Sequence, residues 1–493
     1  MGQDPGLRRL ALGTLLAAYP GPVPPDWAVD LLAEGLAGHT LFGTNIHDPA
    51  QVAAATAALR AGRPDAIIAI DEEGGDVTRL AHATGSPYPG NAALGAVGDV
   101  TLTGQVYAAI GAELGALGIS LDLAPTVDVN SADENPVIGT RSFGADPARV
   151  AAHSAAAVAG LQSTGVAACA KHFPGHGATV ADSHYELPTV DVPPAVLRER
   201  DLPPFAAVID AGVRAIMTAH IRVPALTGEG PATFSRPVLV DLLRDEYGFT
   251  GTVITDALEM KGAALAAGGV GPAAVRALAA GADLLCIGAK VDADLVELVA
   301  GEIVGALGDG RLDRARVEEA AGRAAELAAG TGADAAGVGV VGADAAGADA
   351  ADGLGYAAAL RAVRVEGDVT GLIVPLVVQV HAASTIAEGR VPWGLGPHLA
   401  RAEEVRVVAG ETDPDELRRR AGERPIVLVG RHLHRLPGAR GLAEALAAAH
   451  PVTVVEMGWP GAWRPAGARA FVTTYGASHA NGRAAAQVLG LTG

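Results

Sequence analysis

The chain has 493 residues, which is too long for one ordinary hydrophobic core and indicates two or three domains. Its formal net charge is −19, and no basic stripe with interleaved aromatic residues is visible, so nucleic acid and membrane surfaces are not expected partners. Apolar residues make up 49% of the chain but aromatic residues only 4%. A core built mainly from Ala, Val, Leu and Ile favours helices layered on strands.

The first twenty residues allow two interpretations. Leu7-Arg8-Arg9 and the apolar residues after them resemble the charged and apolar regions of a signal peptide. The apolar run is short, is interrupted by Gly13 and lacks a convincing cleavage site. We therefore interpret residues 13–21 as the first strand of the fold.

Short apolar strands alternate with helical patterns over residues 1–329. The predicted strands cover residues 14–18, 40–43, 66–70, 119–124, 166–170, 215–218, 252–255 and 284–288. Eight parallel strands with crossover helices predict a (β/α)8 barrel, whose active site lies at the carboxyl ends of the strands. Polar residues follow the predicted strands at those ends: Asp71, Asp128, Lys171, His172, His220 and Asp256.

The rest of the chain predicts a second α/β domain. Residues 330–353 are a low-complexity Gly/Ala/Asp segment that is typical of a linker. Residues 354–493 contain strand patterns at 372–380, 405–408, 426–430, 452–456 and 471–474, separated by helical patterns. We expect a smaller sandwich with about five parallel strands.

The segment from Lys171 to His184 has the densest catalytic chemistry. Lys-His-Phe-Pro-Gly-His-Gly follows the fifth strand, and Asp182-Ser183-His184 comes four residues later. A carboxylate two residues from an imidazole can orient it as a general acid/base. A solvated loop with a chance Asp-x-His is the alternative, but the position beside a strand-end Lys-His pair argues against it.

A carboxylate and two arginines extend the candidate site. Asp256 lies in an apolar stretch, where an ionised carboxylate is costly unless it is hydrogen-bonded or meets positive charge; a helix N-cap is the alternative. Arg79 and Arg141 could bind sugar hydroxyls together with Asp71, or could form ordinary ion pairs.

Metal and nucleotide sites have little support. The histidine spacing matches no common ligand pattern, and Lys171 beside His172 would repel a cation. A G-x-G-x-x-G match at residues 337–342 follows no predicted strand. Cys169 and Cys286 lie in apolar runs and are expected to be packed thiols.

These motifs together resemble glycoside hydrolase family 3, and within it the bacterial β-N-acetylglucosaminidases. The matching segments are Lys-His-Phe-Pro-Gly-His-Gly with Asp-Ser-His, Asp-x-Glu-Gly-Gly with Arg-Leu, Gly-x-Arg-Ser-Phe-Gly and Thr-Asp-Ala-Leu-x-Met. The resemblance implies that Asp256 is the nucleophile, that His184 is the acid/base and that Asp182 orients it. It also implies a substrate-binding role for five residues: Asp71, Arg79, Arg141, Lys171 and His172. Asp76, at a position where this family commonly has Arg, is one of the departures from the pattern.

The implied activity is retaining, exo-acting hydrolysis of terminal β-linked GlcNAc without metal or organic cofactor. Peptidoglycan fragments or chitooligosaccharides are the implied substrates, and cytoplasmic cell-wall recycling is the implied setting. A barrel that contains all these residues should be catalytically complete. Two alternatives stay open: a phosphorylase that uses phosphate in place of water, and a non-catalytic barrel that binds muropeptides. The oligomeric state is not predicted.

Overall fold

The computed structural model describes residues 4–288, 291–330 and 345–492, with the backbone alone for 345–352. Two compact units are formed. The first comprises the chain up to Glu72, Thr103–Val137 and the segment that begins at Ala145. The second comprises Glu73–Leu102, Ile138–Gly144 and the chain from Ala345 onward.

The first unit is an eight-stranded parallel barrel, as the sequence predicted. Its strands follow one another around the sheet in chain order, and β1 pairs with β8 in parallel register. A single parallel bridge between Ile254 and Leu284 joins β7 to β8. The strands are β1 Leu15–Ala17, β2 Gly38–Leu41, β3 Ile67–Ile70, β4 Leu121–Asp122, β5 Ala167–Phe173, β6 Ala215–Thr218, β7 Thr252–Thr255 and β8 Leu285–Ile287.

These strands are buried along their whole length, which is why strands such as β3, β6 and β7 appear in the sequence as mainly apolar runs rather than alternating patterns. Leu16, Ile67, Leu121 and Ile254 contribute to one apolar core cluster of the barrel. The strand β4 is the shortest, and the chain leaves it through Pro125, which has no amide hydrogen to pair. Because the strands are parallel, all the loops that follow them lie at the same end of the barrel.

The second unit contains a six-stranded sheet in the order β11-β10-β12-β13-β14-β9. The five predicted parallel strands are present, and the sixth, β9, pairs antiparallel with β14. The sequence missed β9 because all its residues are exposed, which leaves no apolar signal. The strands are β9 Arg364–Gly367, β10 Leu376–Val380, β11 Glu403–Val407, β12 Ile426–Gly430, β13 Val452–Glu456 and β14 Ala470–Thr473.

Helices cover the strands of both units. Aspartates cap several N-termini by accepting a backbone amide hydrogen bond, for example Asp48, Asp146 and Asp292. The α-helices are α1 Pro5–Leu12, α2 Asp26–Glu34, α3 Pro49–Gly62, α4 Asn91–Val97, α5 Val100–Ala116, α6 Pro147–Gln162, α7 Pro194–Arg200, α8 Pro203–Asp210, α9 Pro224–Thr227, α10 Lys261–Ala267, α11 Val270–Ala280, α12 Ala293–Asp309, α13 Arg314–Ala329, α14 Ala345–Ala362, α15 Pro414–Ala421, α16 Ala439–Ala447 and α17 His479–Val488; Pro237–Glu246 is a π-helix.

The expected boundaries differ from the structure in two respects. The predicted linker at 330–353 lies partly outside the described residues, but from Ala345 onward it is helix α14. Its alanines have high helix propensity, which outweighed the Gly and Asp content that suggested a linker. In addition, Glu73–Leu102 and Ile138–Gly144 pack with the second unit, although they lie inside the expected barrel domain in sequence.

Within the described residues, no single helix is both long and apolar enough to cross a membrane. Helices α10 and α11 taken together meet that criterion by length and composition, and they are bent by 91°.

Candidate active site

A buried lysine and an aspartate meet at the ends of β3 and β5. Lys171 Nζ lies 2.7 Å from Asp71 Oδ1, and the lysine is 2% exposed. The strands place them there because Asp71 directly follows β3 and Lys171 lies near the carboxyl end of β5. The lysine can donate charge-assisted hydrogen bonds to a polar ligand, and the aspartate can accept them from it.

Asp128 orients the neighbouring histidine. Its fully buried carboxylate accepts hydrogen bonds from His172 Nδ1 at 2.7 Å and from the His176 amide at 2.6 Å. Burial acts to raise the pKa of Asp128, but the two imidazoles and the amide outweigh it and hold this pKa below its ordinary value. Asp128 therefore fixes the ring of His172, a role that its position after a predicted strand had not revealed.

Asp182 and His184 form the expected pair. Asp182 Oδ1 accepts hydrogen bonds from His184 Nδ1 at 2.6 Å and from the His184 amide at 2.9 Å. Burial acts to raise the pKa of Asp182, but the hydrogen bonds from His184 outweigh it and the pKa lies below its ordinary value. Because a carboxylate only accepts, Nδ1 carries the proton and Nε2 is left for proton transfer. The His184 side chain is 18% exposed, so a ligand can reach it.

His176 stabilises the loop that carries this pair. The Thr179 hydroxyl donates to the His176 carbonyl and accepts from Nδ1 at 2.7 Å, while Ser183 Oγ lies 3.1 Å from Nε2. This network fits a neutral ring with its hydrogen on Nδ1. Gly177 passes so close to the backbone that an added Cβ would lie 1.9 Å from the Val129 carbonyl oxygen. The loop is therefore packed against the chain that follows β4.

Asp256 follows β7 and is partly exposed. Its Oδ1 accepts a hydrogen bond of 2.7 Å from the Ala257 amide. Burial acts to raise the pKa of Asp256, but the imidazoles of His220, His172 and His184 outweigh it, so the pKa lies below its ordinary value. The carboxylate is therefore ionised at neutral pH and shares one electrostatic environment with the acid/base candidate.

His220 is a residue of this group to which the sequence assigned no role. It is fully buried, with Nε2 3.1 Å from the Ala257 carbonyl oxygen and Nδ1 2.8 Å from Thr233 Oγ1. Burial lowers its pKa. Its position after β6 was the available signal, and its contact with the residue next to Asp256 became visible only in the folded chain.

The two predicted arginines belong to the second unit. Arg141 makes a buried bidentate pair with Glu73, with Nε–Oε2 at 2.9 Å and Nη2–Oε1 at 2.7 Å. Arg79 is also buried, and its Nη2 donates to the Ala387 carbonyl at 2.9 Å. Arg141 thus makes a structural ion pair, which was the alternative interpretation for each arginine. The other predicted residues all lie in the first unit.

No group of three or more His, Cys, Asp or Glu side chains suited to a metal ion occurs in the part of the chain that the structure describes. Both cysteines are buried free thiols, as the apolar runs predicted.

A parallel barrel with an ionised carboxylate and an Asp–His pair in the loops after its strands carries the two kinds of group, a nucleophile and a proton donor, that a glycosidase requires. The family model described as "Glycosyl hydrolase family 3 N terminal domain" matches residues 25–327, and the chain belongs to this family. The resemblance seen in the sequence motifs is thereby confirmed.

Individual relatives support this assignment. A glycoside hydrolase family 3 β-N-acetylglucosaminidase from Paenibacillus sp. str. FPU-7 is 32% identical with a TM-score of 0.88, covering 99% of this chain and 97% of that one. A β-hexosaminidase from Chromobacterium violaceum is 39% identical over 283 residues, which is 54% of this chain and 78% of that protein. β-Hexosaminidase A from Pseudoalteromonas piscicida is 40% identical over 262 residues, or 49% of this chain and 44% of that protein. The matched region thus spans less than half of the last relative.

Proposed function

We propose that this glycosidase is a retaining, exo-acting β-N-acetylglucosaminidase that needs no metal or organic cofactor. The observation that carries the proposal is the Asp182–His184 pair, which shares an electrostatic environment with the ionised carboxylate of Asp256. The names of the related β-hexosaminidases support GlcNAc-containing saccharides as the substrate class.

In the proposed mechanism, Asp256 attacks the anomeric carbon and His184 gives a proton from Nε2 to the departing glycosidic oxygen. The carbon–oxygen bond to the leaving group breaks as the ester bond to Asp256 forms. His184, now neutral, removes a proton from water, and the resulting hydroxide displaces Asp256 and releases the sugar. Asp182 stabilises the imidazolium before the first step and after the second.

The remaining predicted residues would bind the sugar. Asp71, Lys171 and His172 present both donors and acceptors to ring hydroxyls, and Arg79 and Arg141 supply guanidinium groups. Peptidoglycan fragments or short chitooligosaccharides are the proposed natural substrates, and cytoplasmic wall recycling is the proposed setting.

Phosphate is a second candidate acceptor. A carboxylate base would repel an incoming phosphate, whereas a neutral imidazole at His184 would not. Turnover of an aryl β-GlcNAc glycoside with and without phosphate, with product identification, separates the two reactions. GlcNAc-1-phosphate as the product would replace the hydrolase proposal with a phosphorylase.

The nucleophile is tested with Asp256→Ala. We expect kcat on the aryl glycoside to fall by at least about a hundredfold, because the covalent step is lost. Glu259→Gln, a carboxylate change in the same loop, is the matched control and should retain activity. A folded Asp256→Ala enzyme with near wild-type kcat would refute the assignment. Wild-type protein that binds a muropeptide but releases no sugar would instead indicate the non-catalytic alternative.

A further inference from the structure

A buried arginine of the second unit joins three loops. Arg431 directly follows β12, and its side chain is 7% exposed. Its Nη2 contacts Glu388 Oε1 and lies 3.3 Å from Asp76 Oδ2. The guanidinium also lies over the Trp393 ring, 5.7 Å from the centroid. We call Asp76, Glu388 and Arg431 the Arg431 cluster.

The cluster is connected to the turn that carries Arg141. Asp76 Oδ2 accepts a hydrogen bond of 2.7 Å from Thr140 Oγ1, and Thr140 precedes Arg141 in the turn Gly139–Arg141. Glu73, three residues before Asp76, makes the bidentate pair with Arg141 itself. The segment that carries Glu73 and Asp76 therefore contacts this turn at two points. Arg431 pairs with the Asp76 carboxylate, one of the two that make these contacts.

The cluster is also connected to Arg79. Arg79 lies three residues after Asp76, and its Nη2 donates to the carbonyl of Ala387, the neighbour of Glu388. Asp76 Oδ1 accepts a further hydrogen bond of 2.7 Å from the Ala477 amide. The donor of the first of these hydrogen bonds, Arg79, lies close in sequence to Asp76, and its acceptor, Ala387, adjoins Glu388. Arg431 contacts both of these carboxylates and so links the two segments that form the Arg79 hydrogen bond.

The energetics of the cluster favour a positioning role over a purely stabilising one. Two buried carboxylates share one guanidinium, and Arg431 Nε is buried without a hydrogen-bond partner among the described residues. Burial raises the pKa of Asp76, as does the Glu388 charge, although Arg431 opposes both. Buried ion pairs of this kind add little net stability compared with apolar packing. The cluster does connect the three segments that carry Asp76, Glu388 and Arg431.

We propose that Arg431 is a positioning residue that sets the geometry of Arg79 and Arg141 for sugar binding. The inference rests on the proposed function, which assigns these two arginines to the substrate. It adds a residue from the second half of the chain to the specificity apparatus of the enzyme.

Hydrogen–deuterium exchange of the full chain tests the positioning directly. Arg431→Gln should accelerate amide exchange about tenfold or more in both segments 73–82 and 138–144. The matched control is Arg464→Gln, which removes an ion pair with Glu366 and a contact with the Phe471 ring in the same sheet. The control should leave both segments unchanged. Unchanged exchange in Arg431→Gln would overturn the inference, whether or not the enzyme is active.

Kinetics on the aryl β-GlcNAc glycoside test the consequence. In Arg431→Gln we expect KM to rise about tenfold with kcat changed by less than about threefold, because Asp256 and His184 lie in the other unit. Arg431→Lys, which keeps the charge, should have a KM between those of the wild type and Arg431→Gln. If Arg431→Gln does not fold, Asp76→Asn provides the same comparison. Faster exchange with an unchanged KM would overturn the positioning role while leaving the proposed function intact, whereas an inactive wild type would refute the function alone.

Discussion

The geometry of the Asp182–His184 pair is local to the chain. The same carboxylate oxygen accepts from the His184 backbone amide and from its ring, so the two-residue spacing itself forms the turn that aligns them. Because the Asp182 side chain accepts a hydrogen bond from the backbone amide two residues later, no distant element is needed to hold the pair in place. This is why the motif could be recognised as an acid/base candidate in the sequence.

His184→Ala should affect substrates according to their leaving groups. We expect a large loss of kcat/KM for a disaccharide, whose departing alkoxide needs protonation, and a much smaller loss for an activated aryl glycoside. Asp182→Asn should show the same trend more weakly, because the imidazole remains but its orientation and charge are less well supported. The measurement is kcat/KM across a series of leaving groups. Equal losses across the series would mean that His184 is structural.

Asp128 and His220 show the limit of local reasoning. Both follow strands, but their partners lie in or after a neighbouring strand: His172 and His176 for Asp128, and Ala257 for His220. The sequence places polar residues at strand ends without saying which of them meet. Closing the barrel brings β4 beside β5 and β6 beside β7, and so creates these contacts.

At the scale of elements, the segment after β3 was assigned to the barrel in sequence but packs with the second unit. Helix α4 contacts α14, and Gly355 of α14 approaches so closely that a Cβ would lie 1.9 Å from the Pro87 carbonyl oxygen. Only a residue without a side chain permits this packing. The segment that carries Glu73, Asp76 and Arg79 is thus built together with elements far along the chain.

A chain truncated after Gly330 tests this packing. The sequence alone predicts full catalytic competence, because all assigned residues precede that point. From the structure we instead expect kcat/KM to fall at least about tenfold, since segments 73–102 and 138–144 lose the elements that pack against them. Circular dichroism would verify that the barrel remains folded. A folded truncated enzyme with wild-type kcat/KM would show that these segments hold their own conformation.

At the scale of the whole molecule, buried histidines couple stability to pH. Burial lowers the pKa of His39 to about 4, against two backbone carbonyls that act to raise it. Burial, reinforced by His172, lowers the pKa of His176 to about 4. Both rings are therefore neutral in the folded protein and take up protons more readily when it unfolds. The contribution of the two neutral rings to the free energy of unfolding is complete above about pH 6.5 and is lost as the pH falls toward 4.

The free energy of unfolding should therefore fall between pH 7 and pH 5, by on the order of 2 kcal/mol for each of these histidines. His176→Gln should show a correspondingly smaller fall, because the glutamine does not titrate. Denaturant unfolding at the two pH values measures the difference, and His47→Gln, at a site with a 79% exposed side chain, is the control. If His176→Gln and wild type lose the same stability, His176 does not contribute to the pH dependence.

The sequence by itself determined the barrel and the local chemistry. Short, mainly apolar segments located all eight strands, and short-range motifs identified the Asp182–His184 pair, the strand-end Lys171 and the family. Tertiary structure alone decided that Asp128 holds His172, that β9 joins the second sheet, and that Arg79 and Arg141 belong to the same unit as Arg431. The physical reason is the distance along the chain over which each kind of interaction acts. Periodicity and turn chemistry act over a few residues, whereas Asp76 and Arg431 meet only after the intervening chain has folded.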